Sequence, residues 1–421
     1  MKFNMRNTIA AAAIAMVGIS SPAFAGGAQL DNKSLIDVLR SKGILSKDEV
    51  KVIKHNNEGK FKFGAKLFVD AKHHVTRNSG SGWTGAAGTS TGQGDQTQTN
   101  SVDLTRAYLT ARYYINDIWK VRVTTDVHQE SKLGKRSNVF LKYAYLQGDL
   151  LPAASLRFGV IHTPWIDHEE ELWAHRYIST VLADGLGVES SADAGLGVVG
   201  KVMGGLLHYQ FGEFNGGGYT NISASKALDF SGRIGSEPIK GLTVDFQYRN
   251  GYRGQKKFSG GAQTQPVARQ VFYQAMVSYG HEHDWRVAAG YLFDKDKAFS
   301  FSAAPAANSK AVRNKAWDVW GWANLFDTSF GKIGAIARYD YDQVNPYDNL
   351  GALTNSGNDE TINRYLLGLE LKPAKGVNLS LVYDYKKTEN LISGAGTATP
   401  TVTADKNLKD YSIGLYSQLK F

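Results

Sequence analysis

The side chains that most invite a chemical reading here are arginines and lysines, because so many stand at alternate positions between apolar neighbours. Lys62, Lys66, Arg106, Arg112, Lys120, Arg122, Arg157 and Lys201 open this series, and Arg233, Arg249, Arg286, Arg338, Arg364 and Lys386 continue it. Lys72 and Lys372 share the pattern. Alternate residues of a strand lie on one face, so these cations describe a wall of strands and not a compact patch. Asp70, Asp126, Asp229, Asp245, Asp318, Asp340, Glu370, Asp384 and Asp410 share that face. Bases lead acids there by roughly two to one, a balance that favours anions along an aqueous lining. The bland alternative is that any wide aqueous wall is charged, with its pairs neutralising one another.

A second group lies near 163–194: Trp165, Asp167, His168, Glu169, Glu170, Glu171, Trp173, His175 and Arg176. A connection this long is usually functional or disordered. Its aromatic and charged content favours an ordered constriction folded inside the wall. It holds three successive Glu and no Lys, which argues against a simple anion filter. Consecutive glutamates do not face one substrate bond, so the run makes a poor acid–base pair. His73-His74, His168 with His175, and His281-x-His283 are at most metal pairs. A metal centre needs three or four converging ligands, so solvated histidine is the better reading and no metal site is expected. No glycine-rich phosphate loop or nucleophile elbow is present, and no Ser/His/Asp grouping stands out. Neither a catalytic residue nor a cofactor is therefore expected. Cys is absent, which excludes disulfides, thiolate metal sites and cysteine nucleophiles. The net charge of +9 favours an anionic partner, but cations spread at strand period speak against nucleic acid.

The elements that must position these residues are strands. The 421 residues include 45 Gly, 21 Tyr and 19 Phe but only 9 Pro and 5 Met, a composition of strands and tight turns. Residues 1–25 read as a secretory signal, with Lys2 and Arg6, an apolar stretch from Thr8 to Ile19, and Ala23-Phe24-Ala25 at the cleavage position. Its removal lowers the charge from +9 to +7. Residues 26–59 read as a short periplasmic helical segment. Ser34 caps Leu35, Ile36 and Leu39 ahead of Gly43, and Ser46-Lys47-Asp48-Glu49 is a capping box. No other apolar run is long enough for a membrane helix, which leaves a closed β-barrel as the route into a bilayer.

From residue 60 the period is two. Phe61, Phe63, Ala65, Leu67 and Val69 alternate with Lys62, Gly64, Lys66, Phe68 and Asp70; Tyr365, Leu367, Leu369 and Leu371 do the same, as do Val377, Leu379, Leu381, Tyr383 and Tyr385. About sixteen such segments are expected, near 60–75, 102–114, 119–128, 138–148, 155–162, 195–203, 206–213 and 225–235, then near 241–250, 268–280, 285–294, 315–326, 332–342, 361–373, 376–387 and 407–421. The segment at 138–148 alternates too poorly to orient. Connections after odd-numbered segments are long: 76–101, 129–137, 163–194, 214–224, 251–267, 295–314, 343–360 and 388–406. Those after even-numbered segments are short turns, such as Asn116-Asp117, Pro152 and Ala374-Lys375. Sorted loops of this kind mark an outer-membrane barrel. Tyr411, Ile413, Leu415, Leu419 and Phe421 end the chain on an alternating aromatic-terminated row, which looks like the signal read by the barrel-assembly machinery. The fold class expected is all-β: a closed antiparallel transmembrane β-barrel over 60–421, in the bacterial outer membrane, with lipid around it. Leu367, Leu379, Leu381 and Ile413 should face that lipid, and Arg112, Arg122, Arg338 and Arg364 the lumen.

Arg157-Phe158-Gly159 followed by Thr163-Pro164-Trp165 resembles the strand and constriction-loop start of the phosphate-selective porin O and P family. Asp193-Ala194-Gly195 with Phe211-Gly212-Glu213-Phe214-Asn215-Gly216 resembles the next hairpin of that family, and Leu35-Ile36-Asp37-Val38-Leu39 with Gly43-Ile44-Leu45-Ser46 its leader. By motif the resemblance covers about 34–50 and 155–216. It implies a sixteen-stranded homotrimeric channel whose lumen carries arginines and lysines. The expectation that follows is passive diffusion of small anions, phosphate-like ions first among them. The rivals are a weakly selective porin for sugars or organic acids, with Trp165 and Trp173 stacking on solutes, and a non-conducting structural barrel.

Overall fold

The computed structural model describes residues 59–79, 96–130, 136–222, 227–254, 258–259, 262–263, 269–281, 284–297, 311–345, 360–389, 392–393, 401–402 and 407–421. The signal segment and the leader helices expected before residue 59 lie outside the described residues, as do several of the long connections. Two compact units are present. In the first, residues 1–60 with 114–119, the described part is a turn in which Asn116 Oδ1 accepts the amides of Ile118 at 2.9 Å and Trp119 at 2.7 Å. The second, Phe61–Tyr113 with Lys120–Phe421, carries the barrel wall.

Sixteen strands build that wall: β1 Phe61–Ser79, β2 Gln96–Tyr114, β3 Trp119–Glu130, β4 Arg136–Leu151, β5 Ala154–His162, β6 Ala192–Val202, β7 Leu207–Phe214 and β8 Asp229–Ile239. The others are β9 Leu242–Gly251, β10 Gln270–His281, β11 Trp285–Lys297, β12 Ala311–Thr328, β13 Gly331–Asn345, β14 Glu360–Ala374, β15 Val377–Glu389 and β16 Asn407–Lys420. Each pairs with the next, and β16 returns to β1 from Lys66↔Lys420 to Ser79↔Asn407, so the sheet closes and leaves no edge. Every expected segment overlaps one strand. The short turns are 115–118, 152–153, 203–206, 240–241, 329–330 and 375–376, and three residues link His281 to Trp285. Gly241 and Gly376 supply the positive φ (85° and 82°) that two-residue hairpin turns demand. One expected long connection is itself short: 131–135 replaces 129–137 because β3 and β4 both run further than their alternation indicated.

Alternation gives the wall two faces. Leu367 (59% exposed), Leu381 (52%) and Ile413 (51%) belong to an apolar outer belt, with Leu379 half-buried beside them. A belt of this kind is the surface that a bilayer covers, and the closed ladder satisfies the backbone within it. The molecule is a transmembrane β-barrel.

The inner face is charged over part of its extent and apolar over the rest. Met276, Leu292, Trp320, Trp322, Ile336, Leu366 and Val382 point inward and are buried in one apolar cluster with residues of the 163–191 connection. Strand alternation counts these residues among the inner row but cannot foresee that half of the wall is an apolar seat. β4 explains its own illegibility. Val139 and Leu141 are exposed outward, then Leu146 and Leu150, while Lys142 and Tyr143 are consecutive buried residues. The face switches between Lys142 and Tyr143, as at a β-bulge.

The glycines of the motif at 157–216 serve backbone packing. Gly159 (φ 124°) pairs with Gly195, and a Cβ on either would collide with a carbonyl oxygen, Ala144 O or Glu213 O.

Candidate functional site

The connection from β5 to β6 folds inward. Thr163 Oγ1 donates to Ser190 O at 2.6 Å and the Thr163 amide to Ser191 O at 3.1 Å, which ties its two ends together. It carries α1 (Ile166–Trp173) and α2 (Leu182–Gly185). Ile166, Glu169 and Trp173 form the buried face of α1, at helical spacing. Asp167 and Glu169 suit the positive end of its dipole, and Ala174, at φ 61°, ends it by donating to Glu170 O.

The apolar cluster seats this loop on the far wall. Trp173 meets Trp320 edge-on with ring centroids 5.3 Å apart, and Trp322 Nε1 donates to Leu172 O at 3.1 Å. Tyr177 Oη donates to Glu370 Oε1 at 2.8 Å and lies 2.7 Å from Ser380 Oγ; His175 Nε2 is 3.2 Å from Glu370 Oε2. Arg338 Nη1 donates to Thr180 O at 2.9 Å and Arg364 Nη1 to Ser179 Oγ at 2.8 Å. Near the loop ends, Arg233 Nε donates to Pro164 O at 2.7 Å, and Gln247 Nε2 donates to Glu189 at 2.9 Å. Burial raises the Glu189 carboxyl to about 7 against the opposing pull of Arg249, Gln247 and Ser231. Burial and the neighbouring Asp318 push Glu169 up as well, while burial lowers His168. Burial disfavours the Arg176 charge too, but Glu170 at 2.6 Å and Asp184 at 3.2 Å more than offset it and hold the guanidinium charged.

The loop's ties to the wall thus concentrate on β8 to β15, while toward β1 to β5 it reaches through Tyr177, against the Phe68 ring, and Asp167, on the Tyr143 hydroxyl. Each of these five strands contributes one cation with no carboxylate within 4 Å among the described residues: Lys66, Arg112, Arg122, Lys142 and Arg157. Arg122 lies over the Tyr143 ring at 4.5 Å with Nη1 2.9 Å from His162 Nε2. Lys142 is surrounded by Tyr108 (4.7 Å), Tyr143 (5.4 Å) and Tyr219 (5.9 Å). Arg157 Nε donates to Gln147 Oε1 at 2.9 Å beneath Tyr145. Lys66, Arg112, Arg122 and Lys142 line a cavity of about 260 Å³ with Lys420 and, on the loop side, Arg176, Asp167 and Glu170. Six cationic side chains thus face two carboxylate side chains. Asp167 is engaged by the Tyr143 hydroxyl at 2.7 Å and by His162, and Glu170 by Arg176.

The other basic residues of the series lie elsewhere. Arg106 pairs with Asp126 at 2.6 Å, Lys120 with Asp149 at 2.8 Å, Arg233 with Asp245 at 2.8 Å and Arg249 with Asp229 at 2.9 Å. Arg338 sits between Asp340 (2.6 Å) and Asp318 (3.4 Å), and Arg364 on Asp384 (2.6 Å). Arg286 Nη1 donates to Ser278 Oγ at 2.9 Å. Lys62 and Lys201 are exposed at the short-turn end, and Lys386 lines a separate cavity of about 660 Å³ with Arg338, Arg364 and five aspartates.

In the loop, Trp165 (1% exposed) and Trp173 (0%) are sealed against the wall, so neither is available to stack on a solute. Glu169 is buried and accepts from Trp165 Nε1 at 2.5 Å, whereas Glu171 is exposed. The run of three glutamates thus does not form one acidic lining. His168 and His175 reach different strands, to Asp245 at 3.0 Å and Glu370. His73 bonds Asn100 at 2.8 Å and His74 approaches Asp410 at 3.5 Å, on opposite faces of β1; His283 is outside the described residues. His168, His208 and Asp245 do converge. However, Arg233 Nη1 donates to Asp245 Oδ1 at 2.8 Å and lies 2.7 Å from His208 Nδ1, which places a fixed cation where a metal would need compensating charge. That group reads as a tie between α1 and β9.

A scan against protein-family models finds no match, and neither does a search of curated proteins. Solved structures do match. An anion-selective porin from Comamonas acidovorans superposes with a TM-score of 0.53 at 12% identity, covering 86% of this chain and 100% of that one. The outer membrane channel DcaP of Acinetobacter baumannii gives 0.54 at 12%, over 86% and 99%. OmpT, an outer membrane protein of Vibrio cholerae in its trimer form, gives 0.51 at 14%, over 85% and 99%. The fold is that of outer-membrane porins. At such identities the likeness concerns backbone architecture, and side-chain chemistry must be argued from this chain alone.

The residue the sequence concealed is Lys142. Its signal was present: the apolar residues of β4 run in odd positions at 139 and 141, then in even positions at 146 and 150. Tyr108, Tyr143 and His162 were hidden for a different reason, since their partners come from other strands and from the loop.

Proposed function

We propose that this chain is an outer-membrane porin through which small anions diffuse passively, phosphate-like ions the leading class. The observation that carries the reading is the unpaired cation contributed by each of β1 to β5 opposite an acidic loop whose carboxylates are already engaged. An anion leaving water there meets fixed positive charge with little opposing field, which lowers its barrier and raises that of a cation. The aromatic faces under Arg122, Lys142 and Arg157 hold those cations in place, so that little reorganisation accompanies each passage. Nothing in this process needs a nucleophile, a cofactor or energy coupling. We read the chain as a non-enzyme for that reason.

The same reading includes a removed signal over 1–25, a periplasmic segment over 26–59, and assembly through β16. It also includes a homotrimer, supported by the trimer form of the similar OmpT. Burial of Trp165 and Trp173 weakens the sugar-stacking alternative. Reversal potentials of single channels in a salt gradient test the proposal. An anion-type potential reduced by low phosphate supports it, a cation-type potential rejects it, and absent conductance would favour a closed structural barrel.

A further inference from the structure

The outer face of β15, β16 and β1 carries a feature that ion passage does not use. Lys387 stands directly across from Lys409, and Lys409 directly across from Arg77. They belong to the outward series, continuing the alternation of Leu381, Tyr383 and Tyr385 on β15 and of Tyr411, Ile413 and Leu415 on β16. Like charges directly opposite on neighbouring strands destabilise a sheet, and here two such pairs adjoin. Glu389 offsets Lys387 at 2.5 Å. Arg77 lies over the Tyr411 ring at 5.3 Å, and among the described residues neither Arg77 nor Lys409 has a carboxylate within 4 Å. Both are exposed. Such a row is a standing cost unless an anion covers it.

Its height on the barrel says where that anion would come from. Lys387 and Arg77 lie two positions before the ends of β15 and β1, and Lys409 two positions after the start of β16, all on the long-loop side. One residue pair nearer the middle, Tyr339, Tyr365, Tyr385 and Tyr411 stand in register as a continuous aromatic row. Aromatic girdles of this kind mark the level at which acyl chains give way to headgroups. The three cations are therefore at headgroup height, facing lipid, in the leaflet turned away from the short periplasmic turns.

We propose that the β15–β16–β1 face binds the phosphorylated headgroup of an outer-leaflet glycolipid. The proposal rests on the transmembrane placement of the barrel and is independent of what passes through its lumen. Phosphate oxygens bridge the cation row and relieve its repulsion, while the lipid's chains lie along the tyrosines and the apolar residues below. A free phosphate ion has the charge but no apolar anchor, so it should compete poorly.

The test uses the full barrel in phosphatidylcholine nanodiscs, with labelled bisphosphorylated lipid A as the probe. Each cation near an anionic lipid surface contributes roughly a factor of five. The triple variant Arg77→Gln, Lys387→Gln, Lys409→Gln should therefore capture lipid A at least about tenfold more weakly, while conducting ions as the parent does. Lipid A stripped of its phosphates should bind the parent as weakly as the intact lipid binds the variant. Equal capture by parent and variant overturns the proposal. So does capture indifferent to dephosphorylation, or displacement of lipid A by millimolar inorganic phosphate, which would indicate a soluble-ion site. If the triple variant does not fold, the parent's response to dephosphorylated lipid A decides alone. Conductance in the same preparations reads the pore separately, so failure of one reading is distinguishable from failure of the other.

Discussion

Neutralising the cations of β1 to β5 should change which ion passes, and the structure sets the size of the effect. A cavity of about 260 Å³ is, as a sphere, about 4 Å in radius. A unit charge on its wall acts on an ion at its centre with about 1 kcal/mol in water, reduced to about 0.6 kcal/mol by physiological salt. That favours an anion about threefold and disfavours a cation by the same factor, so each wall cation is worth roughly eightfold in the permeability ratio. Arg112→Gln with Arg122→Gln should then cost more than tenfold in that ratio. It is measured from the zero-current potential across a planar bilayer under a potassium chloride gradient. Arg338→Gln is the informative control. Arg338 is equally charged and equally inward, but it is 5% exposed and clamped by Asp340 and Asp318 beneath the loop. Its loss should leave selectivity within about twofold, yet it should destabilise the barrel by about 3–5 kcal/mol by stranding the buried Asp318 carboxylate. A ratio that moved as much with Arg338→Gln as with the double variant would refute the division into carboxylate-paired and unpaired cations.

Trp173→Ala removes the anchor of α1, so it should cost about 3–5 kcal/mol and raise single-channel conductance as the loop loosens; unchanged conductance would contradict the seating described. Glu189 and Glu169 have folded-state pKa values above their ordinary 4.5, so the stability they contribute is complete below 4.5 and is lost as pH rises through about 7 and about 8. His168, lowered from 6.5, acts in the opposite sense only at lower pH. Unfolding temperature in detergent should therefore fall from pH 6.5 to about 8, and Glu189→Gln should flatten part of that slope; a slope the variant leaves unaltered disproves the assignment. Gly159→Ala forces a side chain into positive φ and against Ala144 O, so little heat-modifiable folded barrel should be recovered, and near-normal yield would show that the β4–β5 pairing tolerates a Cβ.

The wall was legible because a strand in a bilayer has one lipid face, and a period of two exposes it without knowledge of any partner. The alternating row ending in Leu367, Leu369 and Leu371 placed β14 from its own residues. β4 was not legible, because one extra residue at Lys142 reverses the face and period averaging blurs both halves. Even with β4 oriented, the site would have stayed incomplete. Tyr177 and Glu370 are 193 residues apart, and Tyr177 and Ser380 are 203 apart. No local pattern carries such a contact.

The ratio of bases to acids also misled in a specific way. A charge buried under the loop is stable only if paired, so cations such as Arg233, Arg249 and Arg338 have carboxylates beside them. A charge left in water needs no partner, and Arg112 has none among the described residues. Arg106 and Asp126 fit the same rule, since Tyr219 covers both, with its hydroxyl 3.2 Å from Arg106 Nη1 and 2.8 Å from Asp126 Oδ2. Lys142 is the instructive exception: it is buried with no carboxylate within 4 Å among the described residues, and three tyrosine rings surround it. Summing charges along a face therefore mixes residues that hold the loop down with residues that face the ion. The loop itself separates them. Its apolar face settles chiefly against the inward apolar residues of β10 to β15, and the cations without a carboxylate within 4 Å among the described residues stand on the opposite strands, β1 to β5.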